Sequence, residues 1–201
     1  MDFFVAPDGL PRCGWAGAAP EFLHYHDTEW GFPVADDRRL FEKLSLEGFQ
    51  SGLSWRTILA KRQNFRSAFA DFNPEAVAAF DETDVERLLG DAGIVRHRGK
   101  IEAVINNAQR VVDLESSGTT LAAFVWAQEP DADDIGPPQS VSTSPTSIAL
   151  SKELKRSGWK FVGPTTVFAF MQAMGLVNDH ADGCATRSEV ETARRAFTPP
   201  R

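Results

Sequence analysis

Apolar positions recur at helical spacing along most of this chain, and the spacing predicts a helical fold. The longest such segment runs from residue 97 to residue 116. Its apolar positions are Ile101, Val104, Ile105, Ala108, Val111 and Val112. Side chains three and four residues apart share one face of a helix, so this segment is predicted to be a single long helix that packs on a core.

Residues that favour helix N-termini precede several shorter amphipathic segments. The predicted capping residues of three of them are Asp36 or Asp37 for the first, Ser54 for the second and Asn73 for the third. The segment after Ser54 is expected to form one helix that extends to Phe69. In the next segment, Thr83 and Glu86 are predicted to form a capping box, and Gly90 is predicted to end the helix.

The remaining pattern predicts more helices and no strands. A short helix is expected at 121–128, and two more at about 147–157 and 164–175. Residues 129–145 are rich in Pro, Asp and Ser, which predicts a long surface loop. Because no segment alternates between apolar and polar residues as a strand does, we predict an all-α fold.

Length and composition indicate a globular protein. The chain has 201 residues, which allows one or two compact domains. Residues 1–11 are expected to be a flexible leader. No apolar run approaches the roughly 18 residues of a membrane span, and the N-terminus lacks the pattern of a secretory signal. We therefore expect a cytoplasmic protein that makes no membrane contact.

The net charge is −7, which argues against a protein that coats nucleic acid through bulk charge. The basic residues are nevertheless clustered, at 61–66, 96–100 and 152–160. Each cluster is either a solvated helix face or a local contact with a charged partner.

The two cysteines lie far apart in the sequence, and each has a histidine near it. Cys13 precedes His26, and His180 precedes Cys184. A disulfide is not expected in a cytosolic protein, whereas two thiolates and two imidazoles suit a closed, tetrahedral structural zinc site. The alternative is two unrelated buried cysteines and two ordinary histidines, and the spacing does not decide between them.

Aromatic residues and one acidic residue mark the first third of the chain. The aromatic residues are Trp15, Phe22, Tyr25, Trp30 and Trp55. Glu47 stands between Leu46 and Gly48 in an amphipathic helix, so its carboxylate is expected to be partly buried and to need a partner. Alternatively, Glu47 is a helix-end residue that bonds the local backbone.

Residues 155–166 are predicted to form a helix, a tight turn and a second helix. Gly158 and Gly163 bound the turn, and Pro164 suits the first turn of the helix that follows. Free N–H groups at that helix start can hold a phosphate, and such a contact needs no large positive charge. The alternative is an ordinary helical hairpin.

Seven segments resemble, in order and in spacing, those of the type I 3-methyladenine DNA glycosylases of bacteria. The segments are 12–15 (RCGW), 25–31 (YHDTEWG), 46–48 (LEG), 52–55 (GLSW), 91–101 (DAGIVRHRGKI), 161–163 (FVG) and 175–180 (GLVNDH). The resemblance extends from about residue 12 to residue 184, and it implies a single catalytic domain of two helical lobes at 12–184, followed by a C-terminal tail at 185–201. It implies a helix-hairpin-helix glycosylase-like bundle in which a structural zinc ion joins the N- and C-terminal segments.

The resemblance also implies roles for single residues. The implied zinc ligands are Cys13, His26, His180 and Cys184. The implied base-binding residues are Tyr25, Trp55, Phe22, Trp15 and Trp30, with Glu47 as the carboxylate that recognises the base. The implied DNA-binding residues are Lys160, Gly163, Thr165 and Thr166. At Phe22 we expect the family to carry a tyrosine, so this chain lacks one pocket hydroxyl.

The function implied is excision of 3-methyladenine from double-stranded DNA by a monomer that leaves an abasic site. An electron-rich Trp55 ring is expected to favour the cationic methylated base. Related glycosylases that also cut the DNA strand use a lysine nucleophile just after the hairpin. No lysine follows the predicted hairpin here, so strand cleavage is not expected. Asp179 is the nearest candidate for a further catalytic carboxylate, but its neighbour His180 is assigned to zinc. The alternatives are a zinc-stabilised DNA-binding module without activity, and a zinc hydrolase that activates water.

Overall fold

A computed structural model describes residues 3–131 and 134–201. Near its N-terminus, strand β1 (Phe3–Val5) pairs in antiparallel fashion with strand β2 (Pro11–Cys13). The prediction of no strands was therefore wrong, because strands of three residues are too short to show alternation. Strand β1 lies in the segment that the sequence analysis described as a flexible leader.

Helices make up most of the described residues, as the predicted all-α class requires. In chain order they are α1 (Pro20–Thr28), α2 (Asp37–Gln50), α3 (Trp55–Ala60), α4 (Arg62–Ala68), α5 (Pro74–Ala78), α6 (Glu82–Gly90), α7 (Arg98–Ser116), α8 (Leu121–Trp126), α9 (Pro145–Arg156), α10 (Pro164–Ala173) and α11 (Ala185–Ala196). None of them is both long enough and apolar enough to cross a lipid bilayer.

Asp36, Ser54 and Asn73 are confirmed as caps, whereas Asp37 does not cap α2, because its carboxylate accepts from the backbone N–H groups of Leu121 and Ala122 at the start of α8. The side chains of Asp36, Ser54 and Asn73 each accept a hydrogen bond from the backbone N–H three residues later, at 2.8, 3.2 and 2.8 Å. The cap of α7 is His97, so the longest helix begins within one residue of its predicted start. These bonds are local, which is why the sequence alone places them.

Two helix predictions need correction. The capping box of α6 is formed by Asp81 and Asp84 and not by Thr83 and Glu86, because Asp81 accepts from the N–H groups that the helix start leaves unpaired. The single helix expected after Ser54 is divided into α3 and α4 at Lys61, whose φ and ψ of −96° and 0° end the first segment.

The core is rich in phenylalanine and is centred on α2. Phe49 of α2 packs on Phe65 of α4 with ring centroids 4.7 Å apart. Phe69 and Phe72 stack beside them at 5.6 Å. Helix α2 also packs on α7 and α10, so its buried residues are fixed from several sides.

The C-terminal segment is a packed helix, whereas the sequence analysis described a tail. Val190 of α11 is fully buried, and Phe197 lies 4.5 Å from Trp126, measured between ring centroids. Before α9, the described residues of 129–144 form the predicted irregular loop, while residues 132 and 133 lie outside the described part.

Candidate functional site

A cavity of about 380 Å³ opens beside the C-terminal half of α2. Its lining includes all six residues that the sequence analysis assigned to base recognition. They are Trp15, Phe22, Tyr25, Trp30, Glu47 and Trp55. Gln50, Gln139, Gln172 and Asp179 also line the cavity, and of these the sequence analysis considered only Asp179, as a candidate catalytic carboxylate.

Edge-to-face contacts hold the aromatic wall in place. The Trp15 ring lies 5.9 Å from Phe22 and 5.1 Å from Trp30, both in edge orientation. Tyr25 and Trp55 lie 5.4 Å apart at a tilt of 45°. Aromatic pairs of this geometry stabilise beyond their buried area, so these contacts favour the observed orientation of the rings.

Glu47 pairs with a lysine that the sequence analysis missed. The Lys43 ammonium lies 2.7 Å from Glu47 Oε1, and the two side chains are 7% and 6% exposed. The residues are four positions apart on α2, a spacing that brings side chains together and was available from the sequence. The partner of this carboxylate is therefore a side chain and not the local backbone.

The same ammonium contacts two aromatic residues of the wall. Lys43 Nζ donates to the Tyr25 hydroxyl at 2.8 Å and lies 3.4 Å from the centroid of the Trp55 ring. The Trp55 ring thus already interacts with one cation, so the expectation that it is free to favour a cationic base needs revision. Burial, followed by the charge of Glu47, raises the pKa of Tyr25, which keeps this hydroxyl neutral.

The opposite wall is built on Asp179. Its Oδ1 accepts from the backbone N–H of Gln139 at 2.8 Å, and its Oδ2 accepts from Gln172 Nε2 at 2.6 Å. Burial raises the pKa of Asp179, although both hydrogen bonds oppose that rise. Through Gln139, the loop before α9 is joined to the cavity, a contact between distant segments that no local pattern reveals.

Next to the cavity, Cys13, His26, His180 and Cys184 form a buried cluster. One donor atom of each lies within 4.8 Å of all the others. His26 Nδ1 is 2.7 Å from the Asp27 carboxylate, and His180 Nε2 is 2.9 Å from a backbone carbonyl. These outer contacts leave His26 Nε2 and His180 Nδ1 facing the two sulfur atoms.

The cluster supports the aromatic wall directly. The His26 ring lies 5.1 Å from Trp15, and the His180 ring lies 4.6 Å from Trp30. Because Cys13 belongs to β2 and Cys184 caps α11, the cluster also joins the two ends of the described chain. The arrangement of the cavity therefore depends on the cluster.

The predicted hairpin is the turn between α9 and α10. Asn107 of α7 accepts from the backbone N–H of Lys160 and donates to its carbonyl, both at 2.9 Å. Gly163 caps α10 without a side-chain hydrogen bond, so N–H groups remain open at this helix start. Lys160 and Thr165 are exposed, and Thr166 is half-buried.

A helical bundle that places a buried carboxylate among aromatic rings in one cavity, beside a cluster of two thiols and two imidazoles, is the arrangement expected of the base-excising proteins that the sequence resembles. The sequence profile of the methyladenine glycosylase family matches residues 15–188. The chain belongs to this family.

Comparison with individual relatives supports the same family. DNA-3-methyladenine glycosylase 1 of Escherichia coli is 50% identical over 179 residues, which cover 87% of this chain and 96% of that protein. DNA-3-methyladenine glycosylase of Haemophilus influenzae is 42% identical over 88% of this chain and 98% of its own length. A solved structure of 3-methyladenine DNA glycosylase I from Staphylococcus aureus, described as showing 3-methyladenine recognition, has a TM-score of 0.82 at 38% identity. It matches 88% of this chain and 96% of its own.

Proposed function

We propose that this protein is a monofunctional DNA glycosylase that releases 3-methyladenine from alkylated double-stranded DNA. The observation that carries the proposal is the position of Glu47, a buried, ion-paired carboxylate within a cavity of aromatic rings. The names of its relatives, which cover nearly the whole chain, support the same substrate.

The chemistry needed is modest. An adenine methylated at N3 is a cation in DNA and leaves as a neutral base, so its departure needs little acid catalysis. The enzyme must extrude the nucleotide, which costs a few kcal/mol and least for a damaged base, and then hold the base while water attacks the sugar. Stacking on Tyr25 and Trp55 would contribute roughly 1–3 kcal/mol to holding the base.

Glu47 supplies selectivity in this scheme. Its Oε1 is paired with Lys43, so Oε2 is the oxygen left to accept from the exocyclic amine of adenine. Guanine carries a carbonyl at the corresponding position, which a carboxylate repels. Stacking then adds affinity without choosing between bases, because every base has a π-face.

Hydrolysis without strand cleavage is expected. Residues 164–166 place no lysine after the hairpin, and Lys43 is held by three partners behind the pocket wall. Asp179 is bonded through both oxygens and holds the loop in place. Borohydride treatment during the reaction should therefore trap no covalent complex with DNA, and a trapped complex would contradict this mechanism.

The Cys/His cluster is proposed to hold a structural Zn²⁺ ion. Two sulfur and two nitrogen donors already face one another, and each imidazole has the outer hydrogen bond that fixes its orientation. The hydrogen bond with Cys184 and burial raise the pKa of Cys13, whereas the hydrogen bond from Cys13 lowers that of Cys184. A divalent cation would allow both thiols to ionise.

Cobalt substitution tests the metal site. Four protein donors should give the absorption spectrum of a closed tetrahedral S₂N₂ centre, and one metal ion per chain should be found. A spectrum that shows bound water would instead favour the zinc hydrolase. Cys184→Ser should abolish the thiolate-to-cobalt band of the wild type or weaken it strongly.

DNA is proposed to contact the turn between α9 and α10. The open N–H groups after Gly163 and the hydroxyls of Thr165 and Thr166 suit a phosphate, and Lys160 adds one positive charge beside them. Lys160→Ala should weaken DNA binding and should reduce the slope of log binding constant against log salt concentration by about one unit. An unchanged salt dependence would remove Lys160 from the interface.

Chromatography of bases released from methylated DNA tests the activity. The wild type should release 3-methyladenine, and Glu47→Gln should lose about 100-fold or more of that rate, because a base that is held out of position reacts more slowly by about that factor. Glu189→Gln on the exposed face of α11 is the matched control and should behave as wild type. DNA binding without any released base would favour the inactive DNA-binding module.

A further inference from the structure

Strands β1 and β2 and the turn between them form an N-terminal hairpin, residues 3–13, next to the Cys/His cluster. The family profile matches from residue 15 onward, so this hairpin lies outside the matched segment. A hairpin of two short strands is at best marginally stable by itself. Its position must therefore depend on contacts with the rest of the fold.

Phe3 places an aromatic ring beside the two segments that supply the sulfur atoms of the cluster. It pairs with Cys13 across the two strands, and directly opposed residues of an antiparallel pair carry their side chains on the same face. The tip of the same ring reaches Gly183, where a Cβ would lie 3.3 Å from Phe3 Cζ. Gly183 directly precedes Cys184, so one ring adjoins both cysteine segments.

Two further contacts hold the hairpin in place. The Phe4 ring lies on Gly17, where a Cβ would be only 2.4 Å from Phe4 Cδ2, so a side chain at that position would displace the ring. Arg12 donates to Asp8 in the hairpin turn and to Asp27 of α1, both at 2.8 Å. The hairpin is thus anchored by packing of its rings and by a network of ion pairs.

The Phe3 ring lies at the boundary between the cluster and solvent. The four cluster residues are 5% exposed or less, whereas Phe3 is 44% exposed. Together with Phe4 and Gly17, Phe3 lines an open groove of about 570 Å³. Loss of the ring would therefore bring solvent closer to the buried thiols and imidazoles.

We propose that the N-terminal hairpin is a cover that limits the access of solvent and chelators to the Cys/His cluster, with Phe3 as its main contact. Access then requires local unfolding of the hairpin, which is less costly than unfolding of the whole domain. A metal held by the cluster exchanges only while the cover is open. The exchange of metal rests on the proposed zinc site, whereas the shielding of the cluster needs no metal.

Zinc transfer to a chelator measures how often the cover opens. The zinc-loaded full-length protein is mixed with excess 4-(2-pyridylazo)resorcinol, and the absorbance of the zinc complex gives the release rate. Phe3→Ala should raise this rate about tenfold, since a loss of about 1.4 kcal/mol in packing raises the open population by that factor. Gly17→Ala, which displaces the Phe4 ring, should also raise it.

Val5→Ala is the matched control. It also removes a strand-favouring side chain from β1, but one that is 65% exposed and does not cover the cluster. Its release rate should stay within about twofold of the wild-type rate. An unchanged rate in folded Phe3→Ala, or an equal acceleration in Val5→Ala, would overturn the proposal.

Amide hydrogen exchange distinguishes a local cover from a general loss of stability. The N–H of Ala181 donates to Cys13 Sγ at 3.3 Å, and the N–H of Cys184 donates to the Ala181 carbonyl at 2.9 Å, so exchange of both reports on the closed cluster. Phe3→Ala should speed exchange in residues 181–184 about tenfold and leave exchange in α7 unchanged. No faster exchange in 181–184, or an equal acceleration in α7, would overturn the proposal.

The two measurements separate this inference from the proposals on which it builds. If the isolated protein contains no zinc, the proposed metal site fails, but exchange in residues 181–184 still decides whether the hairpin is a cover. Neither measurement depends on whether the protein excises bases.

Discussion

Lys43 and Glu47 are both buried on α2, and each charge is tolerated there because the opposite charge of the other residue offsets it. Loss of one partner of a buried ion pair leaves the other charge without compensation, whereas loss of both leaves a site that neutral side chains can fill. The two residues should therefore be strongly coupled in their effects on stability.

A double-mutant cycle measures that coupling. We expect Lys43→Met to lower the free energy of unfolding by about 3 kcal/mol, and Lys43→Met combined with Glu47→Gln to recover most of the loss. Urea denaturation at pH 7 gives both values. Additive effects of the two substitutions would show that the pair contributes no coupling energy.

At the scale of elements, the ion pair between Glu29 and Arg62 joins the end of α1 to the start of α4. Burial raises the pKa of Glu29, but the hydrogen bond and the charge of Arg62 outweigh burial and hold the pKa below its ordinary value of 4.5. A carboxyl group with a lowered pKa stabilises the fold above its unfolded pKa, and that stabilisation is lost as the pH falls through its folded pKa.

Glu29→Gln should thus lower the free energy of unfolding at pH 7 by about 1–2 kcal/mol. The variant should also lose less stability than the wild type between pH 7 and pH 3, because it has no carboxylate to protonate. Urea denaturation at both pH values is the measurement. An equal acid loss in the two proteins would mean that this pair does not contribute to acid sensitivity.

The hairpin depends on a residue outside it. Asn107 holds both backbone groups of Lys160 from α7, so Asn107→Ala should loosen the turn while leaving the base pocket intact. We expect DNA affinity to fall by about tenfold, the effect of about 1.4 kcal/mol in lost hydrogen bonding. Affinity for free 3-methyladenine should not change, and a parallel loss of both would show a general defect in folding.

Local signals explain which elements the sequence predicts. Asp36 and Asn73 cap helices through bonds to residues three positions away, and sequence reasoning places both. It misses strand β1, whose partner is defined by a hairpin and not by periodicity. It also misses α11, where Val190 faces a core built by distant segments.

The functional site is likewise divided into features that the sequence predicts and features that depend on distant segments. Motif resemblance brings Glu47 and the aromatic residues to one cavity, but it contains no information on Lys43, which is not part of the matched motifs. The contact between Gln139 and Asp179 joins segments that are far apart in the chain, so neither residue type nor spacing predicts it. Long-range contacts of this kind become visible only in the folded molecule.

At the scale of the whole molecule, the Cys/His cluster connects β2, α1 and the start of α11 while supporting Trp15 and Trp30. The cluster contributes to stability and to the shape of the pocket at once. If it binds zinc, the metal should affect both properties together, since metal-binding free energy adds to folding free energy.

Removal of the metal should therefore lower Tm by roughly 6–12 °C, the shift that about 3 kcal/mol produces in a domain of this size. Binding of 3-methyladenine should weaken in parallel. Calorimetry with and without a strong chelator measures the first effect, and fluorescence titration measures the second. In Cys184→Ser, Tm should be low already and insensitive to the chelator; a chelator effect as large as in the wild type would contradict a metal bound by these four residues.

The position of the cluster in the chain also bears on biosynthesis. A ribosome releases the N-terminal residues first, so Cys13 and His26 emerge long before His180 and Cys184. A nascent chain can form α2 and the phenylalanine core early, but it cannot yet complete the Cys/His cluster or fix Trp15 and Trp30, which pack on that cluster. If the cluster binds zinc, we expect metal binding, the final stability and a usable pocket to be reached together in one late step, after His180 and Cys184 have left the exit tunnel.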